Sequence, residues 1–240
     1  MSITLNGAVV LVTGANGGLG QEFVKQALER GAVKVYASAR TPRTWDDARV
    51  VPLALDVTSE ESIAAAAAVA SDTTVVVNNA GVYRVVDLLT AGSLDDIRAT
   101  FETNFFGAIQ VVREFAPVLG RNGGGALLDV HSVLSWIGLA GSYSASKAAL
   151  WSATNSFRLE LAPQGTHVVG LHLGYTDTPM IADVEAPKND PADVVRAAFD
   201  GLEAGEYEVL ADELSVNVKA GLAGKIEHLY EGLAQAAPEA

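Results

Sequence analysis

The 240-residue sequence predicts one α/β domain, a parallel sheet covered by helices on both faces. Short apolar runs without polar alternation recur along it, as in strands buried on both sides. Longer segments with helical spacing separate those runs, so successive strands are joined by right-handed crossovers. No second hydrophobic block follows a linker rich in Pro, Gly or Ser, and residues 1–240 read as a single domain.

Residues 8–13 (Ala-Val-Val-Leu-Val-Thr) form the first predicted strand, and the spaced apolar residues of 19–30 the first helix, with Gly31 as its stop. Residues 33–37 and 50–55 read as strands two and three. The alanine-rich stretch 59–70 is a helix: Thr58 or Ser59 can cap it, and Glu60 and Glu61 suit its positive end. Residues 74–77 are strand four. A long helix is expected over 97–119, ended by Gly120 and the Gly123-Gly124-Gly125 turn. Strand five follows at 126–130, a helix at 144–161, strand six at 167–173 and a short strand seven at 207–210. Residues 212–236 read as helical with breaks at Gly221 and Gly224.

Composition narrows the function. The chain has no cysteine, which removes disulfides, thiolate nucleophiles and Cys-ligated metal. Its formal charge of −13 disfavours nucleic acid and anionic membranes, both of which need concentrated Lys and Arg. No apolar run nears the roughly 20 residues that cross a bilayer. With no basic region ahead of an apolar one at the N-terminus, a soluble cytoplasmic protein is expected. The four histidines, His131, His167, His172 and His228, lack metal-ligand spacing and read as packing or surface residues.

Between the first strand and the first helix lies Gly14-Ala15-Asn16-Gly17-Gly18-Leu19-Gly20. Glycines let a backbone approach a pyrophosphate closely, and a helix N-terminus offers it free N–H groups and positive potential. A dinucleotide with a 2′-hydroxyl is usually held by a carboxylate at the end of the second strand. Here that strand ends in Ala37-Ser38-Ala39-Arg40, with Arg43 close behind. An arginine there can bind a 2′-phosphate through charge-assisted hydrogen bonds, so NADP(H) is favoured over NAD(H). A ligand-free turn and a surface loop charge are the plain alternatives.

Tyr143 and Lys147, four residues apart in Tyr143-Ser144-Ala145-Ser146-Lys147, share one helix face. A free phenol titrates near about 10. A neighbouring ammonium is expected to lower that value toward the range useful for general acid–base catalysis.

With Thr13-Gly14-x-x-x-Gly18-x-Gly20, Asn78-Asn79-Ala80-Gly81 and Tyr143-x-x-x-Lys147 in order, the chain resembles the short-chain dehydrogenase/reductase family from about residue 5 to residue 210. The resemblance implies a doubly wound Rossmann fold with a seven-stranded parallel sheet and a cofactor across the strands' carboxyl ends. It further implies a catalytic set of Asn104, Ser132, Tyr143 and Lys147. Tyr143 matches the general acid/base, Lys147 its partner and holder of the nicotinamide ribose, and Asn104 the organiser of a proton-relay water. Ser132 matches the substrate-orienting serine, although its interval to Tyr143 is eleven residues where thirteen is common, read as a shortened 136–142 loop. Ser135 is the competing candidate.

The cofactor set implied by the resemblance is Gly14, Asn16, Gly18, Leu19, Gly20, Arg40, Asp56, Val57, Asn78, Ala80, Gly81, Tyr143, Lys147, Gly174 and Thr178. Asp56 and Val57 match the pair at the adenine. Asn78, Ala80 and Gly81 would line the adenine ribose and support the sheet centre. Gly174 is kept where Leu173 replaces the usual proline, and Thr178 matches the residue at the carboxamide. Trp136, Trp151 and Tyr175 are candidate pocket walls. Residues 179–191, short and polar, are expected to form an open lid favouring small aldehydes, ketones or the matching alcohols. A non-catalytic NADP(H)-sensing regulator and an acyl-carrier-dependent 3-oxoacyl reductase are the alternatives. Family members are commonly homodimers or homotetramers built through the helices over 97–119 and 144–161.

Overall fold

A computed structural model describes residues 3–90 and 93–230, and among these the apolar runs become one seven-stranded sheet. The strands are β1 (Val9–Thr13), β2 (Lys34–Ala39), β3 (Val50–Ala54), β4 (Val75–Asn78), β5 (Ala126–Val130), β6 (His167–His172) and β7 (Glu208–Leu210). All six pairings are parallel, in the order β3-β2-β1-β4-β5-β6-β7. Every residue of β4 and β5 is buried, including Asn78 and Asp129, which is why those strands are otherwise apolar throughout.

The α-helices among the described residues are α1 (Gly18–Glu29), α2 (Glu60–Val69), α3 (Leu94–Phe101), α4 (Gly107–Arg121), α5 (Gly141–Leu161), α6 (Pro191–Ala204) and α7 (Glu213–Gly221). One core packs α1 and α6 against Val10, Val12 and Val77, with Phe23 and Phe199 meeting edge to face at 5.3 Å. The other packs α2, α4 and α5 against Leu11, Val76 and Leu127 through Ile63, Phe115 and Phe157. The chain winds outward from β1 to β3, then returns to place β4 on the other side of β1. That reversal opens a crevice at the strands' carboxyl ends, where open α/β sheets bind ligands. Among the described residues no helix is long and apolar enough to cross a membrane.

Four elements differ from expectation. The helix over 97–119 is two helices joined by a π-helical turn, Glu102–Phe106. The cause is tertiary: the Asn104 amide bonds both backbone groups of Val82, and a Cβ on Gly107 would lie 2.7 Å from Val57 O. Helix α6 was not anticipated, although its signals are present. Asp190 caps it by accepting from Ala192 N at 2.8 Å, Pro191 opens it, and Gly205 closes it at φ 77°. Helix α5 starts at Gly141 rather than 144, which puts Tyr143 in its first turn. The helical region from 212 reduces to α7, capped by Asp212, and a single turn at Ile226–His228; its remainder past 230 lies outside the described residues.

Candidate active site

A single cavity of about 690 Å³ runs from the β1–α1 turn across the carboxyl ends of the sheet to the start of α5. At one end Gly14 takes a left-handed conformation, φ 67°, and turns β1 sharply into α1. Gly20 approaches that turn so closely that a Cβ would lie 2.2 Å from Gly14 O. A Cβ on Gly18 would meet Thr178 Cγ2 at 2.7 Å, so the loop after β6 closes over the same turn. No side chain caps α1, and its first residues line the cavity. A helix start leaves N–H groups unpaired, so this cradle fits an anionic phosphate group.

Arg40, Asp56 and Val57 line the cavity beyond the turn. Asp56 accepts from Thr58 N and Oγ1 at 3.0 and 2.8 Å. Those bonds, with a weaker pull from Arg40, hold its carboxyl below the ordinary value. Arg40 is exposed, whereas Arg43 lies over the Trp45 ring at 3.9 Å and outside the cavity lining. Asn16, Leu19, Ala80, Gly81 and Gly174 also line it. Asn78 does not. Its amide is turned into the sheet and donates to Ala108 O at 3.2 Å and Asp129 Oδ1 at 3.0 Å, so only the supporting half of its expected role fits.

At the opposite end Ser132, Tyr143 and Lys147 reach the cavity together. Ser135 is turned away, its hydroxyl accepting from Ser132 N at 3.3 Å in a reciprocal cap. Asn104 is buried outside the lining, with Oδ1 accepting from Val82 N at 2.8 Å and Nδ2 donating to Val82 O and Ser146 Oγ. A Cβ on Gly81 would meet Asn104 Oδ1 at 3.3 Å and Lys147 Nζ at 3.7 Å, so both polar ends converge beside this glycine.

The electrostatics correct one expectation. Tyr143 is pushed up to about 12 because burial disfavours phenolate, with Tyr83 and Tyr175 adding to the rise and a hydrogen bond with the Ser132 side chain opposing it. Lys147 is not among the groups that lower it. Its ammonium donates to Val130 O at 2.8 Å and sits 6.0 Å from the Tyr143 ring centroid. Burial brings Lys147 itself down to about 8, against the attraction of Asp129. Desolvation outweighs the neighbouring charge, and the phenol holds its proton at neutral pH.

Asp129 and Tyr83 also shape the site. Asp129 is wholly buried in β5, accepts from Thr154 Oγ1 at 2.6 Å, and is raised by burial to about 6. A lone carboxylate inside an apolar strand was its signal. Tyr83 meets Tyr143 edge to face at 4.8 Å, and burial and a hydrogen bond with Tyr175 push it up to about 12. Of the expected aromatic walls only Tyr175 lines the cavity. Trp136 and Trp151 pack against each other at 6.2 Å instead. His131 lines it, fully buried. The polar residues of the expected lid serve as anchors: Asn189 donates to Asp212 and Asp190 caps α6, while Met180 and Ile181 face the cavity. Leu134, Ile137, Leu139 and Leu214 complete an apolar end, where Lys147 is the one Lys or Arg among the described residues that line it.

A family model of short chain dehydrogenases matches residues 8–189. A short-chain dehydrogenase from Burkholderia cenocepacia, solved in complex with NADP, has 39% identity and a TM-score of 0.90 over 96% of this chain and 99% of that one. A relative from Burkholderia phymatum, solved with NAD, has 25% identity and a TM-score of 0.81 over 99% and 98% of the two chains. The short-chain dehydrogenase PC-15 of Penicillium crustosum is 34% identical over 184 residues. That match spans 70% of this chain and 66% of its relative.

Proposed function

The chain belongs to the short-chain dehydrogenase/reductase family of oxidoreductases, and from that premise we propose that it transfers hydride between NADP(H) and a carbonyl or secondary alcohol, with Tyr143 as the general acid/base. The observation that carries the reading is the sharing of one cavity by the glycine cradle and the Ser132–Tyr143–Lys147 group. Gly14, Gly18 and Gly20 would admit the pyrophosphate, Asp56 and Val57 the adenine, and Lys147 the nicotinamide ribose. Arg40 at the end of β2, in place of a carboxylate, supports the 2′-phosphorylated cofactor, and the NADP-bound relative at 39% identity supports it too.

When bound, the reduced nicotinamide supplies the hydride. The protein supplies the proton and the geometry. Tyr143, protonated at neutral pH, donates to the carbonyl oxygen as negative charge develops on it. Ser132 hydrogen-bonds that oxygen and orients it beside the phenol. Lys147 puts positive charge near the site and holds the ribose, while Asn104 and the main chain of Val82 keep the far wall rigid. The apolar substrate end supports a neutral aldehyde or ketone over a keto acid or phosphate ester.

The test follows nicotinamide absorbance over a panel of neutral carbonyls. Tyr143→Phe is expected to lower kcat/KM by roughly 10² to 10⁴-fold while binding NADPH normally. Near-wild-type reduction by that variant would end this reading, and NADPH binding without turnover of any carbonyl would favour the sensor alternative.

A further inference from the structure

We propose that His172 is the positioning residue for Ser132: its Nδ1–H holds the Ser132 carbonyl, and a clamp of Trp136, Glu208 and Lys219 fixes its ring. The proposal rests on the reading of Ser132 and Tyr143 given above. His172 ends β6, is wholly buried, and its Nδ1 lies 3.2 Å from Ser132 O. A carbonyl oxygen only accepts, so Nδ1 carries the hydrogen and Nε2 of the neutral ring is a lone pair. Nε2 lies 3.4 Å from Glu208 Oε1, and this neighbouring carboxylate pulls His172 upward against the effect of burial. The Glu208 carboxylate is held elsewhere, by Lys219 Nζ at 2.6 Å and Trp151 Nε1 at 3.2 Å.

The ring is gripped through its face. Trp136 stacks on His172 with centroids 3.9 Å apart and planes at 16°, and the His131 ring lies 4.9 Å away. Lys219 packs over Trp136 at 4.8 Å and over Trp151 at 5.4 Å, so one ammonium ties α7 to both indoles and, through Glu208, to β7. The charged and titratable groups around His172 are therefore Glu208 from β7, Lys219 from α7 and His131 from the end of β5. Burial keeps His172 below its ordinary value, which leaves the neutral ring as the donor. Ser132 O accepts from Ser135 N at 2.9 Å as well, and elements from the last third of the chain add the His172 bond to the backbone of the residue that reaches the cavity with Tyr143.

The experiment compares His172→Leu, His172→Asn and Lys219→Met with wild type in carbonyl reduction under saturating NADPH. His172→Leu, which removes the donor, is expected to lower kcat roughly ten- to a hundredfold, with KM for the carbonyl and NADPH affinity within about twofold. His172→Asn, which retains an amide donor of similar reach, recovers most of that loss. Lys219→Met, at a half-buried side chain, lowers kcat severalfold. Wild-type kcat in His172→Leu, or in Lys219→Met should the first variant not fold, overturns the proposal. So does a failure of His172→Asn to exceed His172→Leu when both fold. Ser132→Ala and Tyr143→Phe run alongside: if they retain turnover, the functional reading fails, whereas their inactivity with an unaffected His172→Leu removes the positioning role alone.

Discussion

Tyr143 shows how neighbours at different sequence distances compete over one proton. Lys147 shares its helix face, yet its ammonium is spent on Val130 O, and burial decides the phenol's affinity. The spacing revealed which residues meet in the cavity but not the balance between desolvation and charge. Arg40 is the opposite case, because a residue type at a strand end carries its meaning locally. Exposed Arg40 lines the cavity and has no ion-pair partner among the described residues, so its charge is available to an anionic 2′-phosphate. Replacing one charge-assisted contact, worth about 1.5–3 kcal/mol, predicts that Arg40→Asp lowers the NADPH-to-NADH ratio of kcat/KM by roughly 10- to 100-fold. Steady-state kinetics with both cofactors measures it, and an unchanged ratio removes Arg40 from cofactor choice.

Elements with an unbroken pattern were legible almost to the residue. β5 spans 126–130 as expected, and α2 starts after Ser59, whose hydroxyl accepts from Ser62 N at 3.2 Å. The π-helical turn at Glu102–Phe106 was not legible, because its cause is the pairing of Asn104 with Val82, 22 positions away. Helix α6 is hidden in the sequence for a different reason: its Asp-Pro start follows a polar segment that reads as continuing loop. The β1–α1 turn gives the sharpest prediction at this scale. Gly20→Ala would force a carbon to within 2.2 Å of Gly14 O, so the cradle must open. A stability loss of roughly 1–3 kcal/mol by thermal unfolding is expected, with NADPH affinity reduced at least about tenfold by fluorescence titration. Gly17→Ala, where the added carbon meets the same oxygen at 3.4 Å, is expected to behave as wild type. Equal behaviour of the two variants would refute the close approach as the reason for Gly20.

For the molecule as a whole, buried ionisable groups set how stability follows pH. His131 is held well below 6.5, mainly by burial, and His172 is also held down. As pH falls below 6.5 the unfolded chain binds protons that the folded histidines refuse, so stability is lost on acidification, by up to about 1.4 kcal/mol per pH unit for each. Asp129, raised to about 6, acts in the opposite sense between about 6 and 3.8, because there the folded state binds the extra proton. Glu208, brought down against burial to about 2 by its contacts with His172 and Lys219, contributes stability above its unfolded value that disappears as pH falls toward 2. His131 has two ring nitrogens without partners among the described residues, so an apolar side chain of similar size satisfies its site. His131→Leu is expected to match or exceed the wild-type Tm at pH 7.5 and to lose less between pH 7.5 and 5.5. A parallel Tm decline in both proteins would show that His131 is not responsible.

The amino-acid order by itself determined the layered architecture, the strand–glycine–helix cradle and the pairing of Tyr143 with Lys147 on one helix face, because period, caps and motif spacing act over a few residues. Tertiary structure alone decided the state of those groups. The environment of Tyr143 is built by Tyr83, Ser132 and Tyr175, and that of Ser132 by His172, Trp136 and Lys219, from segments far apart in the chain. Desolvation and Coulomb energy depend on distance through space, and the fold sets that distance.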